Sequence, residues 1–547
     1  MEQQCLNQQV ENTALQYRKN DYWLPLNLGQ RLGGWAECFG ERTALICGTD
    51  RLSYRELNQR VDAMAVGLYK LGLRRSDRVL VQLPNSTGFV VTIFALFRLG
   101  VIPVMMLMAN RDHDIDAFCS LAEPKAFFTT ETFLGFSYRK QAEQAQIRHA
   151  CLKHVVVDGT VADAQGNFVA VADNTLSLLE LKHEEPEPKD TAVLLLSGGT
   201  TGTSKLIPRT HADYAYNAIA SADLCGFSQE TVYLVALAAA HNFPLACPGI
   251  IGTLSTGGQV VLAHSPAPEE CLPLIEKERV THTALVPPMV NLWLSACTWE
   301  KHDLSSLRLL QVGGSALDAE LAARIRPILG CQLQQVFGTA EGLLCYTRLD
   351  DPEEVILHTQ GRPLSPDDDV RLVDEEGRDV PTGAIGELWV RGPYTIHGYY
   401  RAEEQNKRAF TAEGYYRSGD LVRRRADGNF VVAGRMKDVI NRAGEKIAAP
   451  EIEAVLKTHA NIEDAVLVPV PDEYLGERSC AFVIKGAAPL DLPMLRVFLA
   501  EKGLARHKMP DQLELVEAWP LTGAGKINKR LLSALAAQSE TAMERVP

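Results

Sequence analysis

Residues 231 to 268 contain no Lys, Arg, Asp or Glu. An uncharged run of that length is hidden either in a membrane or in a large protein core. His241, Asn242, Pro244 and Pro248 interrupt it at the centre, where a spanning helix would bury polar groups and lose backbone hydrogen bonds. The run therefore reads as a buried helix, a loop and a strand of a soluble protein. A chain of 547 residues exceeds what one hydrophobic core supports, so at least two domains are expected.

Elsewhere the periodicity alternates between strand and helix. Ser53 and Glu56 form a capping-box signature, and Leu57, Val61, Met64, Ala65 and Leu68 follow at helical spacing. DRVLVQLP (77–84) reads as a buried strand, 87–99 as a helix and GVIPVMML as another strand; VVLA (260–263), THTALVP (281–287) and LRLLQVGG (307–314) repeat the pattern. This alternation predicts an α/β architecture with largely parallel sheets. After residue 365 short β-rich runs are separated by Asp, Glu, Gly and Pro, and ADGNFVVAGR (426–435) offers an Asp-Gly hairpin. A mixed α/β segment of roughly a hundred residues closes the chain. The expected division is 1–436, with a β-rich part at about 365–436, and 437–547.

The stretch LLLSGGTTGTSKLIPRTH (194–211) follows an apolar strand with glycines and hydroxyl residues. Glycines permit tight, positive-φ backbone in which successive N–H groups converge on one anion. Ser197, Thr200, Thr201 and Thr203 add hydroxyl donors, and Lys205 a point charge. The loop thus predicts a phosphate cradle, but not of the Walker A type, because Thr203 and Ser204 separate Gly202 from Lys205 and Leu206 follows the lysine. Gly313-Gly314-Ser315 ends in Leu317 and gives no serine-hydrolase elbow. A net charge of −13 argues against general nucleic-acid binding. The twelve cysteines contain no CxxC pair, and MEQQCLNQQVENTALQ lacks the basic start and apolar run of a signal peptide. Reduced thiols in a cytoplasmic protein are expected.

Five more segments follow the loop: QVFGTAEG (335–342), GELWVRGPYTIHGYY (386–400), GYYRSGD (414–420), GRMKDVINRAGEKI (434–447) and LTGAGKI (521–527). In this order they closely resemble the adenylate-forming superfamily of acyl-CoA synthetases, luciferases and peptide-synthetase adenylation domains, from about residue 50 to 530. The resemblance implies a large N-terminal adenylation domain of stacked α/β sheets plus a β-rich subdomain, and a small mobile α+β C-terminal domain. It implies a reaction too: a carboxylate attacks the α-phosphate of ATP, giving acyl-AMP and pyrophosphate, and a thiol then takes the acyl group. Such chemistry rests on positioning and charge stabilisation.

Carried over residue by residue, the resemblance makes Ser197, Gly198, Gly199, Thr200, Thr201, Gly202, Thr203 and Lys205 the pyrophosphate-gripping loop. Glu341 becomes a carboxylate associated with Mg2+. Asp420 accepts from the ribose hydroxyls with Arg435 nearby. Gly313, Gly314 and Ser315 line the adenine and acyl site, and Val336, Phe337, Gly338 and Thr339 belong to the nucleotide side. Lys526, Lys205, Glu341 and His241 are the expected catalytic groups, and Lys437 the hinge between half-reactions.

Within the superfamily, LSGGTTGTSKLIPRTH, AAAHNFPLACPGIIGTL, TALVPP, LLQVGG, LQQVFGTAEGLLCYTRLDDP and INRAGEKIAA look like the stand-alone aryl acid-AMP ligases of siderophore assembly. Those enzymes load 2,3-dihydroxybenzoate or salicylate onto the phosphopantetheine thiol of a separate aryl carrier protein. The resemblance places Asn242 against the 2-hydroxyl or carboxylate side of the acid, with His241 beside it. Phe243, Cys247 and Leu344 stand where dihydroxybenzoate enzymes typically have Tyr, Ser and Val. A drier, tighter wall facing ring carbon 3 suits salicylate. Thr339, Ser204, Ser418, Ala443 and Pro450 depart from the usual pattern without removing a charge. The alternatives are a 2,3-dihydroxybenzoate ligase, an acyl-CoA synthetase using free CoA, or a non-catalytic binding protein on the same fold. Intact Lys205, Glu341, Asp420, Arg435 and Lys526 weigh against the last.

Overall fold

A computed structural model describes residues 15–162, 168–173, 185–197, 205–436, 439–442, 445–472, 475–502, 504, 508–522 and 526–543. The chain divides into two units. The larger holds the described residues of Met1–Ser197, Thr203–Val370 and Val390–Arg417; the smaller holds those of Arg371–Trp389 and Ser418–Pro547.

The larger unit carries two main sheets. One is nine-stranded, and its centre is six parallel strands: Thr43–Cys47, Gln259–Leu262, Val232–Val235, His282–Leu285, Leu309–Gly313 and Gln332–Thr339, side by side in that order. Antiparallel strands close both edges, Asp50–Ser53 on one side and Gly342–Tyr346 then Arg362–Pro363 on the other. The parallel strands are buried along most of their length, and two of the polar side chains they bury pair with each other, Gln311 Nε2 donating to Gln334 Oε1 at 3.0 Å. Trp293 on helix Pro287–Ala296 is buried, its Nε1 donating to the Pro266 carbonyl at 2.9 Å.

The uncharged run resolves into strand Val232–Val235, helices Asn242–Ala246 and Gly249–Ser255, and strand Gln259–Leu262. It therefore contributes two strands where one was expected, because the β-branched start of the run pairs in the sheet as well as its end. Among the described residues no helix is long and apolar enough to cross a membrane.

The eight-stranded sheet of the same unit runs Phe168–Ala170, Thr160–Ala162, His154–Val157, Ala126–Thr129, Arg78–Val81, Ile102–Met105, Thr191–Leu196, Leu206–Thr210. Its last pair is antiparallel and flanks the glycine-rich loop. The expected capping box forms: Ser53 accepts from the Glu56 N–H at the start of helix Tyr54–Lys70, and Glu56 accepts from the Ser53 N–H at 2.8 Å. Helix Thr87–Leu99 and strands Arg78–Val81 and Ile102–Met105 fall where the periodicity placed them.

In the smaller unit, strands Val439–Arg442, Glu445–Ala448, Ile462–Asp472, Gly476–Lys485 and Gln512–Leu515 form a five-stranded sheet. Helices Ala449–Lys457 and Leu492–Glu501 bury Ile452, Leu456, Leu495 and Leu499 in one core with strand residues. Helix Lys529–Met543 buries Leu532 and Ala536 in a second. Arg442 clasps Asp511 through Nε and Nη2 at 2.8 to 3.1 Å, the planar fork that Arg–carboxylate pairs favour.

Candidate active site

The glycine-rich loop departs from Leu196 and returns at Leu206, and its mouth is clamped on the backbone. The Ser197 N–H donates to the Lys205 carbonyl at 3.0 Å, and the Lys205 N–H donates to Ser197 Oγ at 3.0 Å. Gly198, Gly199, Thr200, Thr201, Gly202 and Thr203 lie outside the described residues, as does Lys437.

Lys205 Nζ stands 4.4 Å from the centre of the Tyr399 ring, in reach of a cation–π attraction. The same tyrosine donates its hydroxyl to Glu341 Oε1 at 2.9 Å, and its oxygen lies 3.2 Å from that of Tyr416. Lysine, tyrosine and buried glutamate therefore form one cluster beside the loop. The turn carrying Glu341 is held from three sides. Arg209 Nη1 donates to the Ala340 carbonyl at 3.0 Å, the Ile396 N–H to the Glu341 carbonyl at 2.7 Å, and Thr339 Oγ1 to the Gly342 carbonyl at 2.9 Å. Gly342 is required there: φ is 153°, and a Cβ would lie 2.7 Å from Thr395 Cα and Oγ1.

A second cluster forms where the parallel strands Leu309–Gly313 and Gln332–Thr339 end. Such carboxyl ends are where open α/β sheets bind ligands. Gly313 pairs in register with Val336. A Cβ on Gly313 would come within 2.7 Å of the Val336 carbonyl oxygen and 3.3 Å of two Phe243 ring carbons, so the phenylalanine edge lies against bare backbone. A Cβ on Gly338 would likewise fall 2.5 Å from Leu344 Cδ2. Phe243 and Leu344, both buried, thus pack on adjacent strand ends through two glycines. Gly314, at φ 85°, and Ser315 are exposed just beyond, with Phe337 and Thr339 half-buried on the next strand.

Helix Asn242–Ala246 sets the remaining pocket residues. His241 is exposed, and its Nδ1 accepts from the Phe243 N–H at 3.3 Å as the helix N-cap. Asn242 and Cys247 are buried; Asn242 Oδ1 accepts from the Tyr214 hydroxyl at 3.0 Å, and Asn242 Nδ2 points to Cys247 Sγ at 3.4 Å. Burial pushes the Cys247 thiol up to about 12, so it stays protonated.

In the smaller unit Asp420 faces Arg435 across strands Tyr416–Arg424 and Phe430–Arg435. Arg435 Nε donates to Asp420 Oδ1 at 2.7 Å, with the carboxylate side chain 2% exposed. Ser418 Oγ accepts from the Asp420 N–H at 3.0 Å and itself donates to the Leu388 carbonyl at 2.9 Å. Lys526 is exposed, while its backbone is pinned: the Thr522 N–H donates to the Lys526 carbonyl at 2.7 Å, and the Lys526 N–H to Thr522 Oγ1 at 3.2 Å.

Several supporting residues had escaped sequence reasoning. Arg209 is fully buried and donates to Asp213 Oδ1 at 2.7 Å and Asn217 Oδ1 at 3.3 Å, besides Ala340. Asn217 Nδ2 in turn donates to the Ala246 carbonyl at 2.6 Å. Their signal lay in the helix His211–Leu224, where Asp213, Asn217 and Ser221 recur every fourth residue as a buried polar stripe.

Comparison with known proteins places the chain in a family. The AMP-binding enzyme family matches residues 33–400, and the AMP-binding enzyme C-terminal domain matches 451–526. The chain belongs to the AMP-binding enzyme family, whose adenylate-forming members are ligases. It is 49% identical over 522 residues to the 2,3-dihydroxybenzoate-AMP ligase of Bacillus subtilis, covering 95% of this chain and 96% of the relative. It is 48% identical to the salicyl-AMP ligase / salicyl-S-ArCP synthetase of Mycobacterium tuberculosis, covering 95% and 92%. Among solved structures, apo MbtA from Mycobacterium smegmatis superposes with a TM-score of 0.73 at 45% identity, covering 95% of this chain and 97% of its own.

Proposed function

We propose that the chain activates salicylate as salicyl-AMP, with ATP and Mg2+, and passes the acyl group to the phosphopantetheine thiol of a separate aryl carrier protein in siderophore biosynthesis. The observation that carries the salicylate reading is the apolar wall, with Phe243 on Gly313 and Leu344 on Gly338. Relatives named for 2,3-dihydroxybenzoate and for salicylate lie at similar identity, and this wall supports salicylate over the diol. It offers no hydroxyl to a 3-hydroxyl group, and an unpaired buried hydroxyl is costly.

The donor set fits a magnesium nucleotide. Asp420 is a buried carboxylate steadied by Arg435, suited to accept from two ribose hydroxyls. Glu341, held by Tyr399, would hold Mg2+, and Lys205 would face the phosphates. Among the described residues no group of three or more His, Cys, Asp and Glu could hold a metal ion. A magnesium ion at Glu341 would therefore share its shell with phosphate and water. ATP supplies the adenylyl group, and Mg2+ offsets the charge of its phosphates. Lys526 neutralises charge between carboxylate and α-phosphate, and Asn242 orients the acid.

Salicylate should exceed 2,3-dihydroxybenzoate in kcat/KM by up to ~10², the scale at which an apolar pocket rejects an added hydroxyl. The double substitution Phe243→Tyr with Cys247→Ser should move preference toward the diol. Steady-state comparison of both acids tests this, and a native preference for the diol would overturn the salicylate assignment while leaving adenylation standing. Lys437 is proposed as the hinge. Lys437→Pro, which fixes φ, should keep adenylation but lose carrier loading; equal loss of both in a folded variant would contradict it.

A further inference from the structure

Tyr214 lies on helix His211–Leu224, wholly buried, and donates its hydroxyl to Asn242 Oδ1 at 3.0 Å. Burial raises its ionisation well above the ordinary value, so the hydroxyl keeps its proton and can donate at every working pH. The guanidinium of Arg209 stands 5.0 Å from the ring centre on its own buried network and holds the ring in place.

The far end of the Asn242 amide is fixed independently. Cys247 Sγ donates its single proton to the Asn242 main-chain carbonyl at 3.5 Å. The sulfur can then only accept, and it faces two amide nitrogens, Asn242 Nδ2 at 3.4 Å and Asn217 Nδ2 at 3.8 Å. Reversing the Asn242 amide would set Oδ1 against the sulfur lone pairs and turn Nδ2 onto the Tyr214 hydroxyl, whose buried proton would then have no acceptor among the described residues. Nδ2 carries two N–H groups and one is used on Cys247. Among the described residues the other has no protein acceptor.

We propose that Tyr214 is a positioning residue, fixing the Asn242 amide so that its remaining N–H donates to the 2-hydroxyl oxygen of an ortho-hydroxylated aryl acid. The inference rests on the aryl acid reading and deepens it. It gives the preference for a 2-hydroxyl a source outside the pocket wall, on a helix that follows the phosphate loop in the chain.

The test is Tyr214→Phe, which keeps the ring and removes only the hydroxyl. Pyrophosphate exchange is measured with salicylate and with benzoate, which lacks the 2-hydroxyl. Their kcat/KM ratio is independent of how much of a preparation is folded. The ratio should fall by roughly tenfold, the scale of one hydrogen bond lost from a buried pair. In an Asn242→Ala background the same substitution should leave the ratio where that background sets it, because the two residues act through one bond. An unchanged ratio in Tyr214→Phe, or an equal fall in both backgrounds, would overturn the positioning role alone. Failure of the unsubstituted protein to activate either acid would overturn the substrate reading and this inference with it.

Discussion

Lys526→Ala is expected to slow adenylation by about a hundredfold or more, taking ~3 kcal/mol for one lost transition-state donor. The substitution removes only the reach of the side chain. The turn that carries it is held by backbone atoms of Lys526 and by Thr522, neither of which changes. Transfer of the acyl group from preformed salicyl-AMP should suffer much less, since the charge that Lys526 is proposed to neutralise no longer develops on the α-phosphate. Pyrophosphate exchange and single-turnover transfer separate the two steps. Near-normal exchange in the variant would remove Lys526 from the catalytic assignment.

The second large effect concerns stability. Arg209 and Asp213 form an ion pair with side chains 0% and 10% exposed. The same carboxylate also accepts from the Thr210 N–H and hydroxyl at 2.7 Å at the start of the helix. Arg209→Met would leave that carboxylate buried without its countercharge and strip donors from Ala340 and Asn217. A loss of ~3–5 kcal/mol is the usual cost of breaking a buried pair on one side. Chemical denaturation followed by tryptophan fluorescence should show an earlier transition, partly restored by adding Asp213→Asn. An unchanged midpoint in Arg209→Met would contradict the network.

Much of the frame was legible because it depends on local chemistry. The Ser53–Glu56 box, the buried strands and the Asp427-Gly428 hairpin are short-range patterns, and each forms. The polar network was not legible in the same way. Arg209, the helix residues Tyr214 and Asn217, Asn242 and Ala340 lie on four different segments, and nothing in the sequence says that a strand arginine is wholly buried. Only the fourfold spacing of Asp213, Asn217 and Ser221 hinted that a polar stripe faced inward. The partnership of Asp420 with Arg435 depends on cross-strand register, which shifts at an irregularity between Leu421 and Val422. A one-residue slip would turn the carboxylate to the other face. The Phe243–Gly313 contact likewise follows from tertiary packing at a parallel strand end, and Leu344–Gly338 from the register of an antiparallel pair with an irregularity between Gly338 and Thr339.

ATP–pyrophosphate exchange with the unsubstituted protein, run against salicylate, 2,3-dihydroxybenzoate, benzoate and a fatty acid, tests the central assignment most directly. Exchange that depends on an aryl acid, is fastest with salicylate and is negligible with the fatty acid is the predicted result. Exchange with none of the aryl acids, or a preference for the fatty acid, would contradict aryl acid activation.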